Sequence, residues 1–62
     1  MTPLEALNTL RELARKYQAV EVIFSDCGCV TVSLFVGGVK ICEEDKSIPV
    51  VVAAVLERIG DE

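Results

Sequence analysis

The sequence contains no histidine, so it lacks the side chain that most often serves as a general base and as a metal ligand. A serine or cysteine nucleophile normally needs such a base beside it, and Ser25, Ser33 and Ser47 have none in the sequence pattern. The acidic residues 43–45 lie on a charged segment at a strand end, where carboxylates are ordinarily solvated rather than catalytic. These absences predict a protein that is not an enzyme and that uses no cofactor.

Cysteine occurs only three times, and an odd number argues against a disulfide framework. In the strand register described below, Cys42 lies about 13 Å from Cys29 along the sheet, which is beyond disulfide reach. A zinc site normally needs four ligands, and this chain has no histidine at all. We therefore expect reduced thiols used as small, partly buried side chains. A metal site that joins Cys27 and Cys29 of two subunits is the alternative.

Basic residues are also scarce, with six Lys and Arg against ten Asp and Glu and a net charge of −4. This balance disfavours nucleic acid as a partner, because such binding depends on cations that displace counterions from phosphate. No apolar run is long enough to cross a membrane, and the start of the chain lacks the pattern of a signal peptide. The composition, 52% hydrophobic, predicts a single folded domain over residues 1–62 that functions in the cytoplasm, or in a host's cytoplasm if the source is viral.

Residues 20–44 alternate apolar and polar side chains, which predicts three short strands with one buried face. A three-residue turn ending at Gly28 pairs Phe24 with Val30 and keeps the apolar residues on that face. A two-residue turn at residues 37–38 gives the third strand the same register. The predicted inner face comprises Val20, Val22, Phe24, Val30, Val32, Leu34, Val39 and Ile41. Pairing is expected to end near Glu43, because its side chain would point toward the core.

The opposite face is mixed, and it is either a solvated surface or a contact surface for a partner. Its members are Glu21, Ile23, Ser25, Cys29, Thr31, Ser33, Phe35, Lys40, Cys42 and Glu44. Four of them are candidate partner-binding residues, namely Ile23, Thr31, Phe35 and Lys40. The acidic segment formed by Glu43, Glu44 and Asp45 is a second candidate site for a protein partner.

Thr2, Pro3 and Glu5 form a strong helix start, because threonine can cap, proline fits the first turn and glutamate completes a capping box. The helix is expected to run to about Tyr17. Its apolar stripe comprises Leu4, Leu7, Leu10, Leu13, Ala14 and Tyr17.

Ser47 is the expected cap of a second helix that ends near Gly60, although a fourth strand at residues 49–52 is the alternative because consecutive valines lower helix propensity. The stripe of this helix comprises Ile48, Val51, Val52, Val55, Leu56 and Ile59. Apolar residues also occupy its back, namely Val50, Ala53 and Ala54. Either the first helix covers them or another chain does, so they are candidate oligomer contacts. The predicted fold class is therefore α+β, with two helices packed on one face of a three-stranded antiparallel meander.

This order of elements resembles the double-stranded RNA-binding domain. Residues 3–17 look like its first helix, residues 30–39 like its central hairpin with a valine-glycine-glycine turn, and residues 48–59 like its final helix. The family's lysine cluster is not matched, since residues 45–50 contain one lysine, and the first inter-strand loop is short. The resemblance implies the fold, and nucleic-acid binding through Arg11, Arg15, Lys16 and Lys46 is the alternative function.

Size, acidity and lack of motifs are also similar to small proteins of phages and mobile elements, of which anti-CRISPR proteins are examples. That similarity implies binding to the surface of a larger host complex, such as one that handles nucleic acid. The sequence therefore predicts a non-enzymatic protein-binding module, with an inhibitor of a host defence complex as its most concrete form. A homodimer whose contact completes the core is a further alternative.

Overall fold

The computed structural model describes residues 1–61, with side chains as far as Gly60. It confirms the predicted α+β class, with a three-stranded antiparallel sheet in the order β1-β2-β3. The elements in chain order are α1 (Pro3–Lys16), β1 (Gln18–Phe24), β2 (Val30–Val36), β3 (Val39–Asp45) and α2 (Ile48–Asp61). No helix within these residues is long and apolar enough to span a membrane.

The register predicted from the two turns is confirmed at both hairpins. Phe24 lies opposite Val30 across the first turn, and Val36 lies opposite Val39 across the second. Gly28 has a φ of +85°, so the three-residue turn ends in the left-handed conformation that glycine adopts without strain. Because both turns fix the same parity, the even-numbered residues of β2 face the helices and the odd-numbered ones face away.

The third strand is longer than expected, because pairing continues through Glu43 to Asp45. The carboxylate of Glu43 does point to the helix side, where Oε2 accepts a hydrogen bond of 2.6 Å from Arg58 Nη1 of α2. The guanidinium of Arg58 compensates the negative charge of Glu43 on the helix side of the sheet, so strand pairing can continue past this residue. The expectation that pairing ends near Glu43 was wrong for this reason.

The start of α1 has the predicted capping box. Thr2 Oγ1 accepts from the Glu5 N–H at 3.2 Å, and Glu5 Oε1 accepts from the Thr2 N–H at 2.8 Å. The helix ends at Lys16, with Tyr17 as its C-cap in an extended conformation. Two backbone donors at the start of the helix are thereby satisfied, which stabilises the first turn of α1.

Residues 49–52 are helical, so the alternative of a fourth strand is not adopted. Before the helix, Asp45 Oδ1 accepts from the Ser47 N–H at 3.1 Å, and the Ser47 carbonyl accepts from the Val51 N–H at 3.0 Å. The helix α2 contacts β2 and β3, and its buried side chains meet those strands in the core. The fully buried side chains with the largest volumes are Leu34, Ile41, Val32, Val51, Val52 and Val55.

Two residues of the predicted inner face are exposed, and Val20 and Val22 are half-buried. Phe24 is 66% exposed and Val39 is also exposed, although both were expected in the core. The reason for Phe24 lies in the placement of α1, which buries Ala6, Leu10 and Leu13 rather than the full predicted stripe. Leu4 and Leu7 remain exposed on the flank of α1, so the helix leaves the outer part of β1 uncovered.

Candidate functional site

An apolar groove lies between α1 and β1, and we call it the α1–β1 groove. Its volume is about 520 Å³, and it is lined by Leu4, Leu7, Asn8, Leu10, Arg11, Ala14, Val20, Val22 and Phe24. Asn8 and Arg11 are the two polar residues in this lining, and no carboxylate contributes to it. Leu4 is 68% exposed and Leu7 and Phe24 are also exposed, so large apolar side chains meet solvent on both walls.

The groove is bordered by an edge strand. β1 pairs with β2 on one side, and among the described residues its other side has no strand partner. Edge strands offer unpaired backbone donors and acceptors, and natural proteins usually protect them with charges, bulges or a covering element. Here β1 has one bulge near its start, at Ala19, and Glu21 is its one charged residue. The stretch from Val22 to Phe24 is apolar on both faces.

The opposite sheet face brings three of the predicted partner-binding residues into one row. Ile23, Thr31 and Glu44 lie side by side across the three strands, and Thr31 Oγ1 donates to Glu44 Oε2 at 2.9 Å. Phe35 and Lys40 are paired with each other in a separate row. Ile23 is 52% and Phe35 is 43% exposed. These two apolar side chains are therefore separated on the face rather than joined in one patch.

The three acidic candidates do not form one surface. Glu43 points toward α2 and binds Arg58, whereas Glu44 points to the open sheet face and binds Thr31. Asp45 receives the N–H of Ser47 at the start of α2. Alternation along β3 places Glu44 on the face opposite to Glu43, and each of the three side chains accepts a hydrogen bond within the chain. The segment is therefore a set of structural contacts rather than a concentrated acidic patch, and its role in partner binding stays a prediction.

The candidate oligomer contacts lie on the back of α2. Val50 and Ala53 are exposed, and Ala54 is half-buried. The expectation that α1 covers these apolar residues is wrong for Val50 and Ala53, because both are exposed. They stay candidates for contact with another chain.

The three basic residues of α1 have different neighbours in the structure. Arg11 borders the groove, whereas Arg15 Nη1 lies 3.4 Å from Glu12 Oε1 one turn earlier in the helix. Lys16 borders a second depression of about 470 Å³, which is also lined by Tyr17, Gln18, Phe35, Gly37 and Gly38. Arg11 and Lys16 therefore border different depressions, and Arg15 is paired with Glu12.

The tip of the β1–β2 hairpin carries two thiols and a hydroxyl. Ser25 Oγ lies 3.0 Å from Cys27 Sγ and donates to the Cys29 carbonyl at 3.2 Å. A hydrogen bond from Cys29, followed by one from Ser25, holds the pKa of Cys27 below its ordinary value of 9.0. Interaction with Cys27 raises the pKa of Cys29. Cys42 is exposed on β3 and is a free thiol like the other two.

Within residues 1–60, no group of three or more Cys, Asp or Glu side chains is arranged to hold a metal ion. This observation concerns one chain, so the site shared between two subunits is not tested by it.

Sequence reasoning missed the α1–β1 groove because it assigned the whole inner face of the sheet, including Phe24, and the whole apolar stripe of α1 to the core. One signal was available. The apolar residues of α1 include Ala6 as well as the predicted stripe, and together they extend around more of the helix than one packed face can bury.

No protein-family model, curated protein or solved structure matches this chain. The α-β-β-β-α topology agrees with the order of elements in the double-stranded RNA-binding domain, and this agreement concerns topology alone.

Proposed function

We propose that this chain is a protein-binding module that acts by surface binding rather than by catalysis, and that the α1–β1 groove receives an amphipathic segment of its partner. The observation that supports this proposal is the exposure of Leu4, Leu7 and Phe24 around one groove. Small soluble domains rarely expose contiguous apolar surface, and such surface commonly marks an interaction site.

The charge of the groove favours a particular kind of partner segment. Arg11 is the one charged residue in the lining, although the chain as a whole has a net charge of −4. A segment with an apolar stripe and an acidic residue beside it would bury its stripe against Leu4, Leu7 and Phe24 and place the acid near Arg11. Duplex nucleic acid fits this surface poorly, because phosphate binding needs several cations and gains little from apolar walls.

The biological setting belongs to the same proposal. Small size, acidity and lack of catalytic motifs in the sequence support an inhibitor encoded by a phage or mobile element, which would bind a host defence complex of the CRISPR type in the host cytoplasm. Binding through a groove is consistent with this role, because an inhibitor needs a complementary surface and no chemistry of its own. The identity of the host complex is a question for the experiment.

The experiment compares two double variants in an affinity pull-down from a candidate host lysate. Leu4→Gln with Phe24→Thr removes apolar surface from the groove, whereas Ile23→Thr with Phe35→Thr removes it from the open sheet face. All four positions are exposed, so both variants should stay folded, which circular dichroism checks. We expect the groove variant to lose its partner and the sheet-face variant to keep it.

Charge complementarity is tested with Arg11→Glu against its matched control Arg15→Glu on the same helix. We expect Arg11→Glu to weaken binding of the captured protein about tenfold or more, because it places like charges together at the groove. Arg15 lies outside the lining, so its reversal should have a smaller effect.

Three results would overturn the proposal. Loss of the partner by the sheet-face variant alone would move the interface to Ile23 and Phe35. Partners that disappear after nuclease treatment would favour the nucleic-acid alternative. Self-association that weakens on dilution, and that the groove variant abolishes, would identify a second copy of this chain as the occupant.

A further inference from the structure

We propose that Cys27 and Cys29 form a redox-reactive dithiol at the tip of the β1–β2 hairpin. Cys27 attacks a small disulfide and forms a mixed disulfide with one of its thiols, and Cys29 then displaces that thiol from Cys27. This inference goes beyond partner binding, because it concerns the covalent chemistry of a different part of the molecule. It also rests on different residues, so its failure would leave the proposed function untouched.

The turn geometry holds the two cysteines together. The Ser25 N–H donates to the Cys29 carbonyl at 3.0 Å, and the Gly28 N–H donates to the Ser25 carbonyl at 3.0 Å. These bonds close the three-residue loop, and the positive φ of Gly28 reverses the chain between the two thiols. Cys27 is exposed and Cys29 is half-buried, so the first thiol is open to a reagent and the second lies behind it.

The surroundings make the two thiols unequal. Ser25 Oγ lies 3.0 Å from Cys27 Sγ, so its one hydroxyl proton, which otherwise bonds the Cys29 carbonyl, can turn to a Cys27 thiolate. Hydrogen bonds from Cys29 and then from Ser25 lower the pKa of Cys27, whereas Cys27, burial and the charge of Glu44 raise the pKa of Cys29. One thiol of the pair is thereby suited to attack, and the other stays protonated until a mixed disulfide has formed.

The reaction balances with a low-molecular-weight disulfide as oxidant. The Cys27 thiolate attacks one sulfur of the disulfide, the sulfur–sulfur bond of the reagent breaks, and one thiolate leaves and takes up a proton. Cys29 then loses its proton to solvent and attacks the Cys27 sulfur, which expels the second thiol. The net change is one protein dithiol and one small disulfide converted to a Cys27–Cys29 disulfide and two small thiols.

A disulfide across a single intervening residue is strained, and strained disulfides are easily reduced. We therefore expect excess small thiol to reopen the Cys27–Cys29 bond. The pair would thus protect Cys27 from a lasting adduct and would return to the dithiol under reducing conditions.

The test treats the reduced full-length protein with oxidised glutathione at neutral pH, followed by acid quenching, alkylation and mass spectrometry of the intact chain and its peptides. Cys42 is an internal control, because it is an exposed thiol in the same molecule. Lowering a thiol pKa raises the thiolate fraction more than it lowers nucleophilicity, with a net gain of about threefold per unit. We expect Cys27 to react faster than Cys42.

The variants separate attack from release. Cys29→Ser keeps a hydroxyl donor beside Cys27 but has no resolving thiol, so a stable glutathione adduct should accumulate on Cys27. The parent protein should instead lose two hydrogens and release two glutathiones per chain. The matched control Cys42→Ser should behave as the parent does. Equal rates at Cys27 and Cys42, or an adduct that persists on Cys27 in the parent, would overturn the proposal.

Discussion

The exposure of Phe24 predicts that two large apolar residues of the sheet differ sharply in their contribution to stability. Leu34 is fully buried in the centre of the core, whereas Phe24 is 66% exposed at the edge. We expect Leu34→Ala to destabilise the protein severely and Phe24→Ala to have a mild effect. A core assignment of Phe24 from strand alternation alone would give the opposite order, since phenylalanine is the larger side chain.

The magnitudes follow from what each substitution uncovers. Leu34→Ala removes about three buried carbon groups at about 0.8 kcal/mol each and leaves a cavity, for a total of about 3–4 kcal/mol. A fully buried phenylalanine would lose about 3–5 kcal/mol on truncation, and Phe24 is only about one-third covered, so about 1–1.5 kcal/mol remains. The stability of a domain of this length is about 3–9 kcal/mol in total, so Leu34→Ala removes a large part of it.

Denaturant melts followed by circular dichroism at several protein concentrations measure both losses, with unchanged slopes as the check on a two-state comparison. Exposed Phe35→Ala is a matched aromatic control on the other face. A loss at Phe24 equal to the loss at Leu34 would refute the reasoning, because it would mean that Phe24 is covered in solution. If that loss also depended on concentration, a second copy of the chain would be the cover.

Further predictions concern the cap, an ion pair and one strained residue. Thr2→Ala should lower the free energy of unfolding by about 1 kcal/mol in a denaturant melt. Hydrogen bonds from the Thr2 N–H and hydroxyl hold the pKa of Glu5 below its ordinary 4.5. The contribution of Glu5 to the free energy of unfolding is therefore present above pH 4.5 and is lost as the pH falls through the folded-state pKa. Glu5→Gln should remove this acidic part of the pH dependence of the free energy of unfolding. A double-mutant cycle between Glu43 and Arg58 should give about 0.5–1 kcal/mol at low salt and less at high salt. Ala19→Gly should raise the melting temperature, because the left-handed strain of about 1–2 kcal/mol exceeds the flexibility of glycine, about 0.5–1 kcal/mol.

The sheet and both hairpins could be predicted from the sequence because parity leaves few choices. A slip of one residue would expose the core-facing residues Val30, Val32 and Leu34, so the positions of Gly28 and the glycine pair fix the register. The capping box at Thr2 and Glu5 was equally local, since its partners are three residues apart. Each of these features depends on residues that are neighbours in the sequence or directly opposed across a turn.

The α1–β1 groove could not be predicted in the same way, because it depends on where α1 lies relative to the sheet. Rotation of this helix determines whether Leu4 and Leu7 or Ala6 and Leu10 meet the core, and all four positions are apolar. Burial of the small Ala6 lets α1 pack closely, and the larger leucines are left on the flank. Hydropathy alone does not distinguish these arrangements.

The bulge in β1 was also missed, and it explains how α1 and the sheet are joined. Tyr17 and Val20 both pack against the core, although three positions separate them and a regular strand would place them on opposite faces. The bulge adds one residue between Gln18 and Glu21, so Tyr17 and Val20 lie on the same face of the sheet. Ala19 adopts a φ of +57° in this bulge.

This bulge also bears on the kind of partner that β1 can receive. Bulges bend and twist a strand and interrupt the regular spacing of its backbone groups, which hinders pairing with a further strand. The regular part of the edge is therefore confined to residues 21–24, which is short for strand addition. The apolar groove beside it has no such restriction, and it extends along α1 from Leu4 to Ala14. A partner that buries side chains in the groove is thus better matched to this molecule than one that extends the sheet.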